Sequence, residues 1–295
     1  MNLEEIIQID IKMSKERLNP DTIIKSGQVF RMYKFQSNVY VAYTGDSAVS
    51  FRWNDKNQSW QFFTSWKDWE DIWKPYFDLN TNYQKFNKAI MSSSDEFLKN
   101  ALSHSEGMRI LHQDLWETLV TFIISQQNNI PKIQKTVEVL CRNYGNVSWF
   151  SLPDGTKQKF YTFPTAEQIA DLSLPNFIDG SFLGFRAKYI LNLARGVRKG
   201  TIDLNKMLSL SYSEAVEQLQ AIYGVGPKIA NCTTLYGLHM MESYPIDTWM
   251  KRIIEEDYSQ YSKEEYLRYI NESYKGFQGY VQQLQFYYKR LLNKT

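Results

Sequence analysis

The feature that most constrains this chain is a single change in the period of its hydrophobic pattern. From Gly27 to Phe63 the text reads as short alternating strands, VFRMYKF, VYVAYT, AVSFRW and WQFF, separated by Ser37-Asn38, Gly45-Asp46 and Asn54-Asp55-Lys56-Asn57. Those separators are hairpin signals, so the segment predicts an antiparallel meander. A helical stretch follows at Ser65 to Tyr76, where Trp66, Trp69 and Trp73 recur at helical spacing, and further helices run to about residue 105. After Gly107 a period of 3.6 dominates. Leu115, Leu119, Phe122 and Ile123 mark one stripe, and Ile133, Val137 and Leu140 a second ending at Gly145. Tyr189, Ile190, Leu193, Ala194 and Val197 make a third ending at Gly200. The Pro- and Gly-rich region Phe150 to Asn176 reads as a long connection with helical pieces at best. The expectation is an α+β protein, with an N-terminal antiparallel β-sheet subdomain over residues 1–106 packed on a mostly α-helical domain over 107–295.

Composition enters as a set of exclusions. With 295 residues, 43% hydrophobic and 22% charged, the chain is globular and long enough to bury a proper core. Two cysteines, Cys141 and Cys232, and three histidines supply neither a disulfide framework nor a four-cysteine zinc or iron–sulfur site, so no metal and no cofactor are expected. Apolar runs such as Leu119 to Ser125 fall far short of the roughly 20 residues a membrane span requires. The N-terminal MNLEEIIQ has neither a basic nor an apolar leader segment, so a soluble, cytoplasmic protein is expected; a monomer is expected separately. A net charge of +2 argues only weakly for nucleic acid. Local clustering argues better: Arg186, Lys188, Arg195, Arg198 and Lys199 fall within one helical stretch that contains no acids, a face suited to a DNA backbone.

The stretch that carries chemistry is Leu219 to Ala230, LQAIYGVGPKIA. It predicts a helix opened by the capping box Ser211/Glu214, a turn Gly224-Val225-Gly226, and a second helix begun by Pro227, a helix-hairpin-helix over about 212–237. Two glycines before a helix leave backbone N–H groups exposed, a ready anion site for a phosphate. The turn also sets Lys228 in the first turn of the second helix. An ammonium beside the positive end of a helix dipole is disfavoured, and a neutral amine is a nucleophile. Taken alone, Gly-Val-Gly is better explained as an ordinary helix connection and Lys228 as a solvated lysine. The odds shift with Tyr244-Pro245-Ile246-Asp247-Thr248-Trp249, where Asp247 stands at the N-cap of a helix Thr248 to Glu256. A carboxylate there can be held by backbone donors while facing the lysine.

In this arrangement the chain resembles the helix-hairpin-helix (HhH-GPD) superfamily of base-excision DNA glycosylases. Further segments are similar to its 8-oxoguanine DNA glycosylase/AP lyase branch: Ser26-Gly27-Gln28-Val29-Phe30-Arg31 to the first-strand loop, Phe122 to Ile130 (FIISQQNNI) to the strand-separating loop, Leu183 to Tyr189 (LGFRAKY) to the wedge segment, and Gly279 to Phe286 (GYVQQLQF) to the terminal helix. The resemblance implies a base pocket between the β-rich and helical parts, and excision of 8-oxoguanine from double-stranded DNA. It implies that Lys228 attacks the sugar and forms a Schiff base while Asp247 steadies the cationic sugar. It implies that the Gly27 carbonyl accepts the N7–H of 8-oxoguanine, that Gln282 pairs with the base's edge, and that Phe286 and Cys232 sandwich its faces. Gln127, Asn128, Lys132, Phe185, Arg186, Gly224, Val225, Gly226 and Trp249 match DNA-contacting positions. Four positions depart from the pattern: Tyr223 replaces a hairpin proline, Trp249 a histidine of eukaryotic members, Gln127 an asparagine that fills the vacated stack, and Lys132 an arginine that reads the orphaned cytosine. The first implies a less rigid turn and the second a changed phosphate or pocket contact, while the last two touch opposite-base selectivity. Local spacing agrees with the match where Cys232 lies four residues after Lys228, on the same helix face. In the last helix Gln282 and Phe286 flank a stripe of Val281, Leu284, Tyr288 and Leu291. A superfamily member acting on another damaged base, and a non-catalytic helix-hairpin-helix DNA-binding module, stand as the alternatives.

Overall fold

The computed structural model describes residues 5–293, so the first four residues of the MNLEEIIQ segment lie outside it. Five strands form one antiparallel sheet: β1 (Ile7–Ile11), β2 (Met32–Lys34), β3 (Val39–Thr44), β4 (Ser47–Asn54) and β5 (Ser59–Thr64), in the order β1-β5-β4-β3-β2. The meander from β2 to β5 agrees with the sequence reading, although β2 is shorter than the VFRMYKF run. β1 has no counterpart in that reading. It pairs with β5, placing Ile9 opposite Phe62, and covers what would otherwise be an open edge. One face carries a core of Tyr40, Ala42, Val49, Phe51 and Phe62 under Trp69, Trp73 and Phe77.

The opposite face is covered by an element that the periodicity did not reveal. Overlapping the start of the region read as a long connection, Val147–Ser151 (β6) and Lys157–Tyr161 (β7) form a two-stranded hairpin. Its Phe150 and Phe160 pack on Val39 and Val41. Each of these two strands has a single buried side chain, so neither shows the repeated alternation by which a strand is recognised. The helical pieces expected there are present only afterwards, as Ala166–Ala170 and Leu174–Asp179.

The helices match the stripes closely: Leu115–Ile124, Ile130–Tyr144 capped by Gly145, Arg186–Arg198, Tyr212–Gln220, Pro227–Tyr236 capped by Gly237, Thr248–Glu256 and Gln278–Leu292. A short helix Pro20–Ser26, absent from the sequence reading although Asn19 caps it and proline begins it, leads into Gly27. Sheet and helices share polar bonds as well as core. Arg31 and Glu117 form a buried ion pair at 3.0 Å, and the same carboxylate oxygen accepts from the Gly45 N–H at 2.8 Å. Arg31 also donates to the Tyr161 carbonyl at 2.7 Å, so one guanidinium joins sheet, helix and β6–β7 hairpin. Among the described residues no helix is long and apolar enough to cross a membrane.

Candidate active site

The hairpin is shaped by one glycine and one aromatic ring. Tyr212–Gln220 opens with the expected capping box, in which Glu214 accepts from the Ser211 N–H at 2.9 Å. The chain then turns at Gly224 with φ +89°, buries Val225 and restarts at Gly226, the extended N-cap before Pro227. A Cβ at Gly224 would stand 2.4 Å from the Tyr189 ring. Gly224→Ala therefore combines backbone strain of about 1–3 kcal/mol with a clash against a packed aromatic. Its melting temperature should fall, and binding of a duplex carrying an abasic-site analogue should weaken about tenfold or more. Unchanged melting and binding would mean the ring yields without cost. Gly226 is open, with nothing near its Cβ position, so the N–H groups at that helix start remain approachable.

Lys228 is half-buried and points back to the end of the helix Leu115–Ile124. Its Nζ donates to Ser125 Oγ at 3.0 Å and lies 4.9 Å from the Phe122 ring centre. Phe122 in turn stacks on Tyr236, ring centres 5.5 Å apart. Ser125 was not singled out in the sequence, where it looks like an ordinary loop residue. One turn past the lysine, Cys232 is buried, and that burial pushes its thiol up to about 11 against the pull of the Lys228 charge. The thiol is thus an apolar wall with no nucleophilic competitor to the amine. Asp247 caps Thr248–Glu256 as expected, its Oδ1 accepting from the N–H groups of Trp249 at 2.9 Å and Met250 at 3.0 Å. Both cap bonds use Oδ1. The carboxylate's charge acts on Cys232 and on Arg290, a guanidinium whose burial weakens its hold on the proton and which Asp247 supports.

Gly27 and Phe286 come together from opposite ends of the chain, and Gln282 lies one turn before Phe286 on the same helix. Gly27 ends the helix Pro20–Ser26 with φ +82°. A Cβ there would meet Ile130 Cδ1 at 3.0 Å and both Phe286 Cε1 and Arg290 Nη1 at 3.4 Å. Arg290 spans this group, its guanidinium 5.3 Å from the Phe286 ring centre and donating to the Lys25 carbonyl at 3.1 Å. Gln282 is buried, yet its Oε1 has no hydrogen-bond partner. A buried amide oxygen left unpaired costs about 1–3 kcal/mol, so a donor from outside the chain would be held tightly there. The last helix is buried more completely than its stripe suggested. Val281 and Leu284 are inside as expected, but Gln283 and Gln285 are inside too.

On the outer rim Gln127 is exposed in the left-handed region at φ +47°, and Asn128 donates to the Ile124 carbonyl at 3.2 Å. Lys132 is exposed in the first turn of Ile130–Tyr144, a turn capped by Asn129. Phe185 projects at 49% exposure and Phe182, unmarked in the sequence reading, at 66% with φ +56°. Trp249 is half-buried under the Arg252 guanidinium. The uniformly basic face needs correction. Arg195 donates to the carbonyls of Ala170 and Leu172, and Arg198 pairs with Asp171, so these two anchor the end of Ala166–Ala170. Arg186 binds the Gln126 and Gln127 carbonyls, while Gln126 reaches the Gly224 carbonyl at 3.2 Å. Arginine's fixed fork suits such carbonyl-clasping, and hydropathy cannot distinguish it from a solvated cation. Arg186 thus ties the Gln127 loop to the wedge segment, and Gln126 ties it to the hairpin.

The helix-hairpin-helix sets Lys228 in the first turn of its second helix, Asp247 caps the next helix, and Gln282 on the last leaves a buried amide oxygen unpaired, an arrangement that points to a class of DNA-repair protein. Residues 120–275 match the model of the HhH-GPD superfamily base excision DNA repair proteins, and residues 10–119 that of the 8-oxoguanine DNA glycosylase N-terminal domain. The chain belongs to the HhH-GPD superfamily of base excision DNA repair proteins. It is 31% identical over 210 residues to the N-glycosylase/DNA lyase of Saccharomyces cerevisiae, covering 68% of this chain and 54% of that protein. Against the N-glycosylase/DNA lyase OGG1 of Arabidopsis thaliana it is 27% identical over 258 residues, 82% of this chain and 67% of the relative. The chain thus spans about half the length of the yeast relative. Among solved structures, MBOgg1 in complex with a low-affinity DNA ligand superposes with a TM-score of 0.88 at 32% identity, covering 98% of this chain and 99% of that one. The Clostridium acetobutylicum 8-oxoguanine glycosylase/lyase in complex with double-stranded DNA containing cytosine opposite 8-oxoguanine gives 0.85 at 28% identity, covering 99% and 100%.

Proposed function

We propose that this protein is a bifunctional glycosylase and lyase that excises 8-oxoguanine from double-stranded DNA and then nicks the abasic site, acting as a monomer without a cofactor on the chromosome of a prokaryotic cytoplasm. The β-rich residues 1–106 and the helical residues 107–295 contribute opposite walls of one base pocket. The observation that carries this reading is the unpaired, buried Gln282 Oε1 on the helix that also brings Phe286 against Gly27. A flipped-out base needs an edge partner and a stacking face, and these side chains supply both. Lys228 in its neutral form attacks the anomeric carbon; the bond from that carbon to the base nitrogen breaks, and the base leaves with a proton. The ring-opened sugar then holds the amine as a Schiff base. Loss of a proton from the neighbouring sugar carbon expels the 3′ phosphate, and water releases the lysine. Ser125 holds the amine in line before attack, and the Asp247 carboxylate offsets positive charge on the sugar. Trp249 and the N–H groups at Gly224 and Gly226 hold the flanking backbone, while the Val225 N–H is taken by the Ile222 carbonyl at 3.0 Å.

Borohydride trapping on duplexes carrying 8-oxoguanine opposite each of the four bases tests this directly. A covalent adduct on 8-oxoguanine and none on guanine is expected. Adducts formed only on oxidised pyrimidines would replace the substrate, and binding with no adduct on any lesion would leave a DNA-binding module. Lys132 presents a point charge in place of a planar fork, so the preference for cytosine opposite the lesion should be shallow and should flatten further in Lys132→Ala. A steep preference that survives Lys132→Ala would place the reader elsewhere.

A further inference from the structure

Gly27 is conformationally permissive, so the direction of its carbonyl is set by the two peptides that flank it. Both are held, and both from the same place. On one side the Ser26 carbonyl accepts from Gln283 Nε2 at 3.0 Å. Gln283 is 1% exposed, and its Oε1 accepts from the Tyr236 hydroxyl. On the other side the Gln28 carbonyl accepts from Gln113 Nε2 at 2.8 Å, while the Gln113 N–H donates to the Tyr236 carbonyl at 2.7 Å. Tyr236 closes the circuit: it ends the helix that carries Lys228 and Cys232, and its ring stacks on Phe122, over which the Lys228 amine sits. Ser26 and Gln28 are themselves fully buried, and the Gln28 side chain is pinned to the Arg109 carbonyl and the Leu111 N–H, each at 2.9 Å.

We propose that Gln283 and Gln113 are positioning residues that refer the Gly27 carbonyl to the lysine helix through Tyr236, and so set lesion selectivity. This rests on the reading of Gly27 as the base-reading carbonyl. Neither glutamine touches the reacting atoms. Each side chain offers the donor that one flanking carbonyl needs, and Gln283 also accepts from Tyr236. A one-donor test for a proton on the base discriminates only if the carbonyl stands at a fixed distance and angle from the sugar held by Lys228. Lengthening that distance by a fraction of an ångström weakens the hydrogen bond to the lesion and relaxes the repulsion from the unprotonated nitrogen of guanine. The arrangement therefore narrows selectivity when it loosens, and does so without touching the lyase chemistry, which reads no base.

Gln283→Met keeps the chain length and removes both hydrogen bonds. The ratio of 8-oxoguanine to guanine excision should fall on the order of tenfold, while nicking at a preformed abasic site stays within about twofold. Gln113→Met, less buried, should shift the ratio in the same direction and provides the test if Gln283→Met folds poorly. Equal losses on lesion and abasic substrates in both variants would reduce the glutamines to general packing and overturn the proposal, as would an unchanged ratio. A wild-type protein that nicks abasic sites yet leaves 8-oxoguanine in place would sink the lesion reading, and this proposal with it. A wild type that excises 8-oxoguanine alongside variants of unchanged ratio would overturn the glutamine roles alone.

Discussion

Replacing Lys228 by glutamine is expected to reduce borohydride trapping and strand nicking to background while leaving binding of a lesion duplex largely intact. The amide is one bond shorter than the lysine, whose Nζ reaches Ser125 Oγ at 3.0 Å; it stays polar and uncharged, and its nitrogen is not a nucleophile. Trapping near the wild-type level would mean that another amine carries the reaction. Asp247→Asn separates two roles in the same assay. Asparagine is as good an N-cap as aspartate, so the bonds to Trp249 and Met250 survive and the melting temperature should hardly move. The neutral amide cannot offset charge on the sugar, so base release should slow by about a hundredfold or more. An unchanged rate would leave Asp247 as a cap only.

Arg31→Met should produce the largest loss of stability, about 3–5 kcal/mol, because it leaves Glu117 buried and unpaired at the junction of sheet, helix and hairpin. The loss has a defined pH dependence. Burial already pushes the Glu117 carboxyl up, with Arg31 opposing; without Arg31 it rises further. A folded-state value raised above the unfolded one destabilises wherever the unfolded carboxyl ionises and the folded one is held back. The deficit should thus grow as pH rises above 4.5, the ordinary glutamate value, and shrink on the acid side. Thermal melts of Arg31→Met between pH 4 and 8 check this. Arg31→Met with Glu117→Leu should recover much of the loss, since replacing a buried pair by apolar groups is often close to neutral. A single variant that melts like wild type at neutral pH would show that water reaches the carboxylate.

Where the sequence was legible, the signal was local. The hairpin turn, the Ser211/Glu214 capping box, the Asp247 cap and the helix ends at Gly145 and Gly237 rest on dihedral preferences and on bonds spanning a few residues. The β6–β7 hairpin escaped because one buried phenylalanine per strand leaves no period to read. β1 escaped because an edge strand is defined by its partner, here β5, more than by its own text. Arg195 and Arg198 of the basic helix misled because charge is visible in a sequence and the partner that takes it up, two carbonyls for the one and the Asp171 carboxylate for the other, is not.

The chain's own text therefore determined the α+β class, the helix-hairpin-helix, and the presence of a lysine and an aspartate at the starts of two helices, since each of these is settled within a turn or two of backbone. Only the tertiary structure decided which side chains meet. Lys228 finds Ser125 across 103 residues, Gln283 finds Ser26 across 257, and Arg31 finds Glu117 across 86. The unpaired oxygen of Gln282, flanked on the same helix by satisfied Gln283 and Gln285, is likewise invisible in the run QQLQ. Hydrogen bonds between distant segments depend on how the cores pack, and packing is a property of the whole molecule, with no periodic signature in the text.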